Sequence, residues 1–311
     1  MTRALRDDPI LPLLEGRLPS HRLSERLAME LGRETSNPIE SWPAVHWLIR
    51  AALRLALVHE RARRNVVEIR LSEHRVVIPN LPDAFEGYTI LHMSDLHLDS
   101  RCDFVEALSN RIQGLDYDLC VLTGDYRFRT FGHQEPALSA MRILRDAISS
   151  PVYAVLGNHD SIRMVPMIEA MEIRMLVNET VRLERGDAAI HLSGVDDPHY
   201  FRADDLARAS AGVPKDATSI LLAHSPEVYR QAAREKFDLL LCGHTHGGQI
   251  RLPGGFPLFF NARCPRRYCA GAWRHENLRG YTSSGAGSSV VDVRLNCPAE
   301  VVLHRFSRVA A

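Results

Sequence analysis

Apolar positions along the chain change period near residue 65. Over 42–64 they recur three and four apart among arginines, which predicts a long helix, and a shorter helix is expected over 20–32. Val66 to Leu71 and Arg75 to Ile78 then alternate, with polar Glu73 and His74 between them, and Pro79 and Pro82 follow. That pattern predicts a β-hairpin. From Tyr88 onward short apolar runs occupy 89–93, 119–123, 152–156, 189–195, 219–223 and 239–242. Helical stretches fall between several of them, at 104–113, 137–148, 163–171 and 226–236. Buried strands alternating with helices predict a layered α/β architecture. Residues 253–289, rich in Gly, Pro, Ser and Arg, read as long loops, and 300–306 as a closing strand. The expected organisation is a helical extension over 1–64 and one α/β domain over 65–311.

The polar residues that follow these runs carry the chemistry. The strand at 89–93 leads into Asp95 and His97, that at 119–123 into Asp125, and that at 152–156 into Asn158, His159 and Asp160. The strand at 219–223 leads into His224, and that at 239–242 into His244 and His246. In open α/β sheets ligands bind beyond the carboxyl ends of strands, so five strands would deliver their polar residues to one edge. Carboxylate and imidazole suit borderline divalent ions such as Mn, Fe, Zn or Co. Asp95 and His97 stand two apart, as do His244 and His246, a spacing that a strand-like backbone would put on one side. Asp125 is placed to bridge two ions, and such a pair clamps the attacking and leaving oxygens in phosphoryl transfer. Ten of the fifteen histidines fall outside the pattern, and among them His92 reads better as a packed or supporting residue than as a ligand.

Composition narrows this picture. Lys plus Arg and Asp plus Glu balance at 38 each, so no general attraction to nucleic acid is expected. Cys120 and Cys242 sit in apolar runs, and the six cysteines read as free structural thiols of a reducing compartment. The first thirty residues lack a secretory pattern, and the longest apolar stretch, 45–58, contains Arg50 and Arg54, so a cytoplasmic protein is expected.

The order Asp-x-His, Gly-Asp, Gly-Asn-His-Asp, His, Gly-His-x-His, carried by Asp95, His97, Asp125, Asn158, His159, Asp160, His224, His244 and His246, resembles the calcineurin-like metallophosphoesterase superfamily over roughly 65–311. The resemblance implies a four-layer α/β/β/α sandwich and a binuclear metal centre whose bound hydroxide attacks phosphorus. One ion would take Asp95, His97, Asp125 and His246, and the other Asp125, Asn158, His224 and His244, with Asp125 bridging and His159 as general acid. Gly243 to Ile250 followed by Arg-Leu-Pro, and Leu295 to Val301, look like a bacterial branch of membrane-associated or exported phosphodiesterases that includes enzymes resembling UDP-2,3-diacylglucosamine pyrophosphohydrolase. Hydrolysis of a phosphodiester or pyrophosphate in a small or lipid-linked substrate is the leading expectation. A protein Ser/Thr phosphatase or nuclease on the same fold, or a scaffold without catalysis, are the alternatives. Many relatives have a further Asp where this chain has Phe128, so the support of His159 is in question.

Three features keep two readings each. Arg127 and Arg129 contact phosphate or are solvated surface residues. The 253–287 segment, with Arg266 and Arg267, is a substrate wall or a lobe packed on the sheet. The 42–64 helix, with His46, Arg50 and Arg54 along one face, lies on the inner membrane surface or docks on the domain or on a second subunit.

Overall fold

A computed structural model describes residues 10–14, 17–34 and 43–309, so Trp42, the expected first residue of the long helix, lies outside the described residues. Two six-stranded sheets form the centre. The first has strand order β1 (Arg70–Val77), β12 (Glu300–Ser307), β2 (Thr89–Met93), β3 (Leu119–Leu122), β4 (Val152–Ala154), β5 (Ile173–Met175). The second runs β10 (Gly271–His275), β11 (Leu278–Thr282), β9 (Leu239–Cys242), β8 (Ser219–Leu222), β7 (Ala188–Gly194), β6 (Glu179–Arg185). Pairing from β2 through β5 is parallel, as it is for β7, β8 and β9.

Strand residues alternate between two cores, although the strands read as unbroken apolar runs because both faces are covered. Ile90, Leu119 and Val121 of the first sheet meet Ile190, Ile220 and Leu241 of the second in a core between the sheets. Leu91, Cys120 and Leu122 point the other way, onto α5 (Phe104–Ile112), α6 (Glu135–Asp146) and α7 (Val165–Glu169). Leu221, Leu240 and Cys242 of the second sheet pack on α8 (Leu206–Ser210) and α9 (Tyr229–Arg234). Helix, sheet, sheet, helix is the expected four-layer sandwich.

The helices before residue 65 divide between two places. Of α1 (Leu11–Leu14) and α2 (Ser20–Glu34), Leu14, Leu23 and Leu27 enter the same core as α5 to α7. Arg26 is buried there, paired with Glu30 at 2.8 Å and Asp196 at 3.2 Å, with its guanidinium over the Phe201 ring. This part of the extension is built into the domain. The expected helix at 42–64 is two, α3 (Pro43–Leu55) and α4 (His59–Arg64), broken where Leu57 takes a φ of 57°. Leu53 and Ala62 pack with Val291 and Val293, and Asp292 pairs with both Arg50 (3.0 Å) and Arg63 (3.4 Å).

Two expectations from the sequence are corrected. In place of the expected hairpin at 66–78 there is a single strand, β1, over Arg70–Val77, parallel to β12, with Glu73 opposite Leu303 and His74 opposite His304. An edge strand tolerates exposed polar residues, and these imitate a turn when the partner strand lies more than two hundred residues away. The 253–289 region is not all loop: it holds the β10–β11 hairpin, which adds to the second sheet beside β9.

Candidate metal centre

The turns that follow β2, β3, β4, β8 and β9 bring Asp95, His97, Asp125, Asn158, His159, His224, His244 and His246 together, all of them buried. The expected strand-like backbone at the paired positions is not what places them. Asp95, His97, Asp125, His244 and His246 have φ of 52°, 42°, 57°, 71° and 49°, in the left-handed region. That conformation costs about 1–3 kcal/mol per non-glycine residue and is least unfavourable for Asp, Asn and His. Each chain therefore turns sharply at the donor itself. Neighbouring glycines let the turns touch: a Cβ on Gly157 would overlap the Asp125 carboxylate, and one on Gly243 would overlap Ser94 and Asp95.

The donors form two sets that meet at Asp125. In the first, His246 Nε2 lies 3.2 Å from His97 Nε2 and 3.3 Å from Asp95 Oδ1. In the second, His224 Nε2 lies 3.0 Å from Asn158 Oδ1, 3.2 Å from His244 Nδ1 and 3.3 Å from Asp125 Oδ2. The same Asp125 Oδ2 is 3.9 Å from His97 Nε2. Its other oxygen, Oδ1, accepts the His159 N–H at 2.8 Å, which fixes the carboxylate.

The tautomers show what this arrangement fits. His97 Nδ1 donates to the Arg127 carbonyl (2.7 Å) and His224 Nδ1 to the Thr123 carbonyl (2.8 Å), since a carbonyl only accepts. In the neutral rings both Nε2 lone pairs then point at carboxylate, amide or imidazole acceptors. Facing lone pairs are favourable only around a cation, and a histidine fixed through its other nitrogen is the usual form of a metal ligand. The residues present fit divalent ions. In the bare protein a proton does part of that work. Burial disfavours a charged His224, but the charge and hydrogen bond of Asp125, with Asp95 behind, raise it to about 10. Burial also opposes ionisation of Asp125, yet His224 and His159 hold it well below the usual carboxylate range. Asp95 is pushed up, first by burial and then, against the pull of His224, by the charge of Asp125.

His159 lies beside both sets, its Nε2 3.9 Å from Asp125 Oδ2. Its Nδ1 donates to the carbonyl of Phe128 at 2.9 Å, so the Phe128 backbone orients the ring. Asp160 faces away from the donors. Its oxygens accept the N–H groups of Asp125 (2.7 Å), Tyr126 (2.9 Å) and Gly157 (2.9 Å), tying the β3 and β4 turns together. Burial, with the nearby charge of Asp125, raises its pKa to about 6. His92 is a supporting residue, between Thr123 Oγ1 (2.8 Å) and His304 Nε2 (3.3 Å).

A cavity of roughly 870 Å³ opens over the donors, with Asp125, Asn158, His159, His244 and His246 at one end. Its far walls are apolar: Val45, Ile49, Ala52 and Leu53 from α3, and Leu252, Leu258 and Phe259 from the segment after β9. None of the four arginines expected at the substrate lines it. Arg127 is buried, donates to the Gly132 carbonyl at 3.3 Å and faces a smaller cavity with Glu30 and Arg163. Arg129 is exposed. Arg266 and Arg267 are exposed and bond to the Pro257 carbonyl (3.3 Å) and the Tyr268 hydroxyl (3.0 Å). Arg61 and Arg251 line the cavity instead. Arg251 had a signal, standing five residues after His246, whereas Arg61 is placed only by the fold of α4. The 253–287 segment divides into two parts. Residues near 252–259 wall the cavity, while Tyr268 and Leu278 pack on the second sheet and the Cys269 carbonyl accepts the Thr245 hydroxyl between the two histidines. All six cysteines are free.

The family model described as calcineurin-like phosphoesterase matches residues 88–248. The uncharacterized metallophosphoesterase YkoQ of Bacillus subtilis is 28% identical over 256 residues, covering 79% of this chain and 93% of that protein. The phosphodiesterase YaeI of Escherichia coli is 30% identical over 244 residues, covering 75% and 86%. Among solved structures, the sulfate thiohydrolase SoxB of Thermus thermophilus aligns with a TM-score of 0.46 at 15% identity, covering 73% of this chain and 57% of that one. No helix among the described residues is long and apolar enough to cross a membrane.

Proposed function

The chain belongs to the calcineurin-like phosphoesterase family and is a metal-dependent hydrolase; from that premise we propose that it cleaves a phosphodiester or pyrophosphate bond, at a binuclear centre, in a substrate that carries an apolar chain beside its phosphate. One observation carries the specific part. The cavity that begins at the donors ends in an aliphatic and aromatic wall, a shape that suits a lipid-linked phosphoester. A relative named as a phosphodiesterase supports a diester over a monoester.

Asp95, His97, Asp125 and His246 would hold one divalent ion, and Asp125, Asn158, His224 and His244 the other. Such a pair supplies Lewis acidity toward phosphate oxygens and lowers the pKa of water. The chain's own groups do the rest. Asp160 and the backbone of His159 keep Asp125 in place between the two donor sets. His159, with its Nδ1–H committed to the Phe128 carbonyl, presents Nε2 toward the cavity; in its doubly protonated form it gives the Nε2 proton to the leaving oxygen and is left as the neutral ring. Arg61 and Arg251 offset phosphate charge at the rim. A nuclease has less support, since basic and acidic residues balance at 38 each and the sequence has no extended basic run. A scaffold without catalysis has less support, since all seven donors and His159 are present.

The test is a substrate series on manganese-loaded protein: bis-p-nitrophenyl phosphate, p-nitrophenyl phosphate, and aryl diesters of increasing alkyl length. The diester should be preferred over the monoester, and kcat/KM should climb with chain length. Indifference to chain length would remove the lipid-linked part of the reading, and a preference for the monoester would remove the diesterase part.

A further inference from the structure

Among the described residues the buried arginines are Arg26, Arg127 and Arg294. Taking a guanidinium out of water is costly unless opposite charge or several acceptors meet it. Arg26 pairs with Glu30 and Asp196. Arg294 donates to the carbonyls of Ser284 (2.7 Å), Gly285 (3.0 Å) and Gly287 (2.8 Å). Arg127 has nothing comparable. It is 4% exposed, forms no ion pair among the described residues, and its side chain donates once, to the Gly132 carbonyl at 3.3 Å. Its Nε has no partner.

The cavity that Arg127 lines has a volume of roughly 320 Å³ and shares no lining residue with the one over the metal donors. Two carboxylates stand in its wall, and both are already engaged. Glu30 is held by Arg26, by Arg163 at 3.3 Å, by the Ile162 N–H at 2.7 Å and by the Ser161 hydroxyl at 2.6 Å. Asp160 gives its oxygens to the N–H groups of Asp125, Tyr126 and Gly157. The Arg127 guanidinium is thus the buried charge of this cavity without a counter-charge. The Thr130 hydroxyl, the His133 ring and the Gln134 amide line the same space and can donate as well. A guanidinium fork joined by hydroxyl and amide donors is the chemistry that recognises a tetrahedral oxyanion.

We propose that this second cavity binds a phosphate-like oxyanion, free phosphate or a small phosphomonoester, with Arg127 as its counter-charge and apart from the metal centre. The site is joined to that centre through the chain itself. The Arg127 carbonyl accepts the His97 Nδ1–H, and the Phe128 carbonyl accepts that of His159. An anion that fixes the Arg127 side chain therefore steadies the segment that orients both rings. The inference does not depend on which bond the metal centre cleaves or on an apolar chain in the substrate.

Equilibrium dialysis of the manganese-loaded full chain against radiolabelled inorganic phosphate, and in a parallel arm against glycerol phosphate, tests it. Phosphate at the metals is read separately, as competitive inhibition of bis-p-nitrophenyl phosphate turnover. The wild type should bind a further anion that this inhibition does not account for, and the arm that binds tighter names its source. Arg127→Gln should weaken that further binding roughly tenfold or more, as expected when a charged hydrogen-bond partner is lost. Thr130→Val/His133→Ala, which leaves the buried arginine in place, should weaken it less, with manganese content retained as the sign of a folded chain. That second variant keeps the test decisive if Arg127→Gln does not fold. Two results would overturn the proposal: wild-type binding fully explained by the competitive site in both arms, or variants that bind the further anion as tightly as wild type.

Discussion

The two ends of the cavity are built in opposite ways. At the metal end every donor sits on the turn after a parallel strand, is buried, and is held by backbone hydrogen bonds such as those from Asp125, Tyr126 and Gly157 to Asp160. At the apolar end the walls come from α3 and from the segment around 252–259, elements outside both sheets with several side chains in water. Under the proposed function, the difference separates chemistry from choice of substrate. The donors cannot move without breaking the sheets' own turns, whereas the far wall can change its side chains and leave the centre intact.

Substitutions can break this comparison or sharpen it. The largest effect should come from Asp125→Asn, which removes the charge shared by both donor sets and should take diester hydrolysis to background in a steady-state assay. His159→Asn should lower turnover about 10²–10⁴-fold with metal content retained. The loss should shrink for substrates whose leaving group needs no proton, and equal losses on good and poor leaving groups would argue against the acid role. At the other end, Ile49→Ser or Phe259→Ala should raise KM roughly tenfold for a diester with a long alkyl chain and leave bis-p-nitrophenyl phosphate unaffected. A matching loss on both substrates would mean that the wall supports the centre.

Two smaller effects follow from residues at neither end. Burial pushes His92 down to about 3, whereas the unfolded chain takes up the proton near 6.5. Between those values the unfolded state binds more protons, so folded stability falls as pH drops from about 6.5 toward 3. In His92→Gln, thermal melts at pH 7 and pH 5 should differ less than in the parent chain; an unchanged difference would place the acid sensitivity elsewhere. Arg266→Ala/Arg267→Ala should alter KM and kcat for a soluble diester by no more than about twofold. A large rise in KM would return these arginines to the site, as the sequence first suggested.

How legible each end was follows from its construction. The strands β2, β3, β8 and β9 could be read because burial on both faces makes them unbroken apolar runs, and each ends in a donor. Their geometry could not, because Asp95 and His97 share a side through left-handed turns and not through strand alternation. Edge strands were harder. Strand β1 carries Ser72, Glu73 and His74 because one of its sides is unpaired, and it passed for a hairpin. Strands β10 and β11 were hidden by the composition of the 253–289 segment. The arginines illustrate the limit most directly. Sequence proximity to a motif pointed to Arg127 and Arg129, yet the Arg127 backbone serves His97 while its side chain turns to another cavity. Arg61 comes from a helix nearly two hundred residues before His244, and no local pattern foretold it.

The central claim is that Asp125 joins two donor sets that hold two ions. Metal content by inductively coupled plasma mass spectrometry, on manganese-loaded wild type and Asp125→Asn prepared in parallel, addresses it with the fewest assumptions. The account predicts about two ions per wild-type chain and a clear loss of bound metal in the variant, together with loss of turnover. Full occupancy and normal turnover in Asp125→Asn would contradict it.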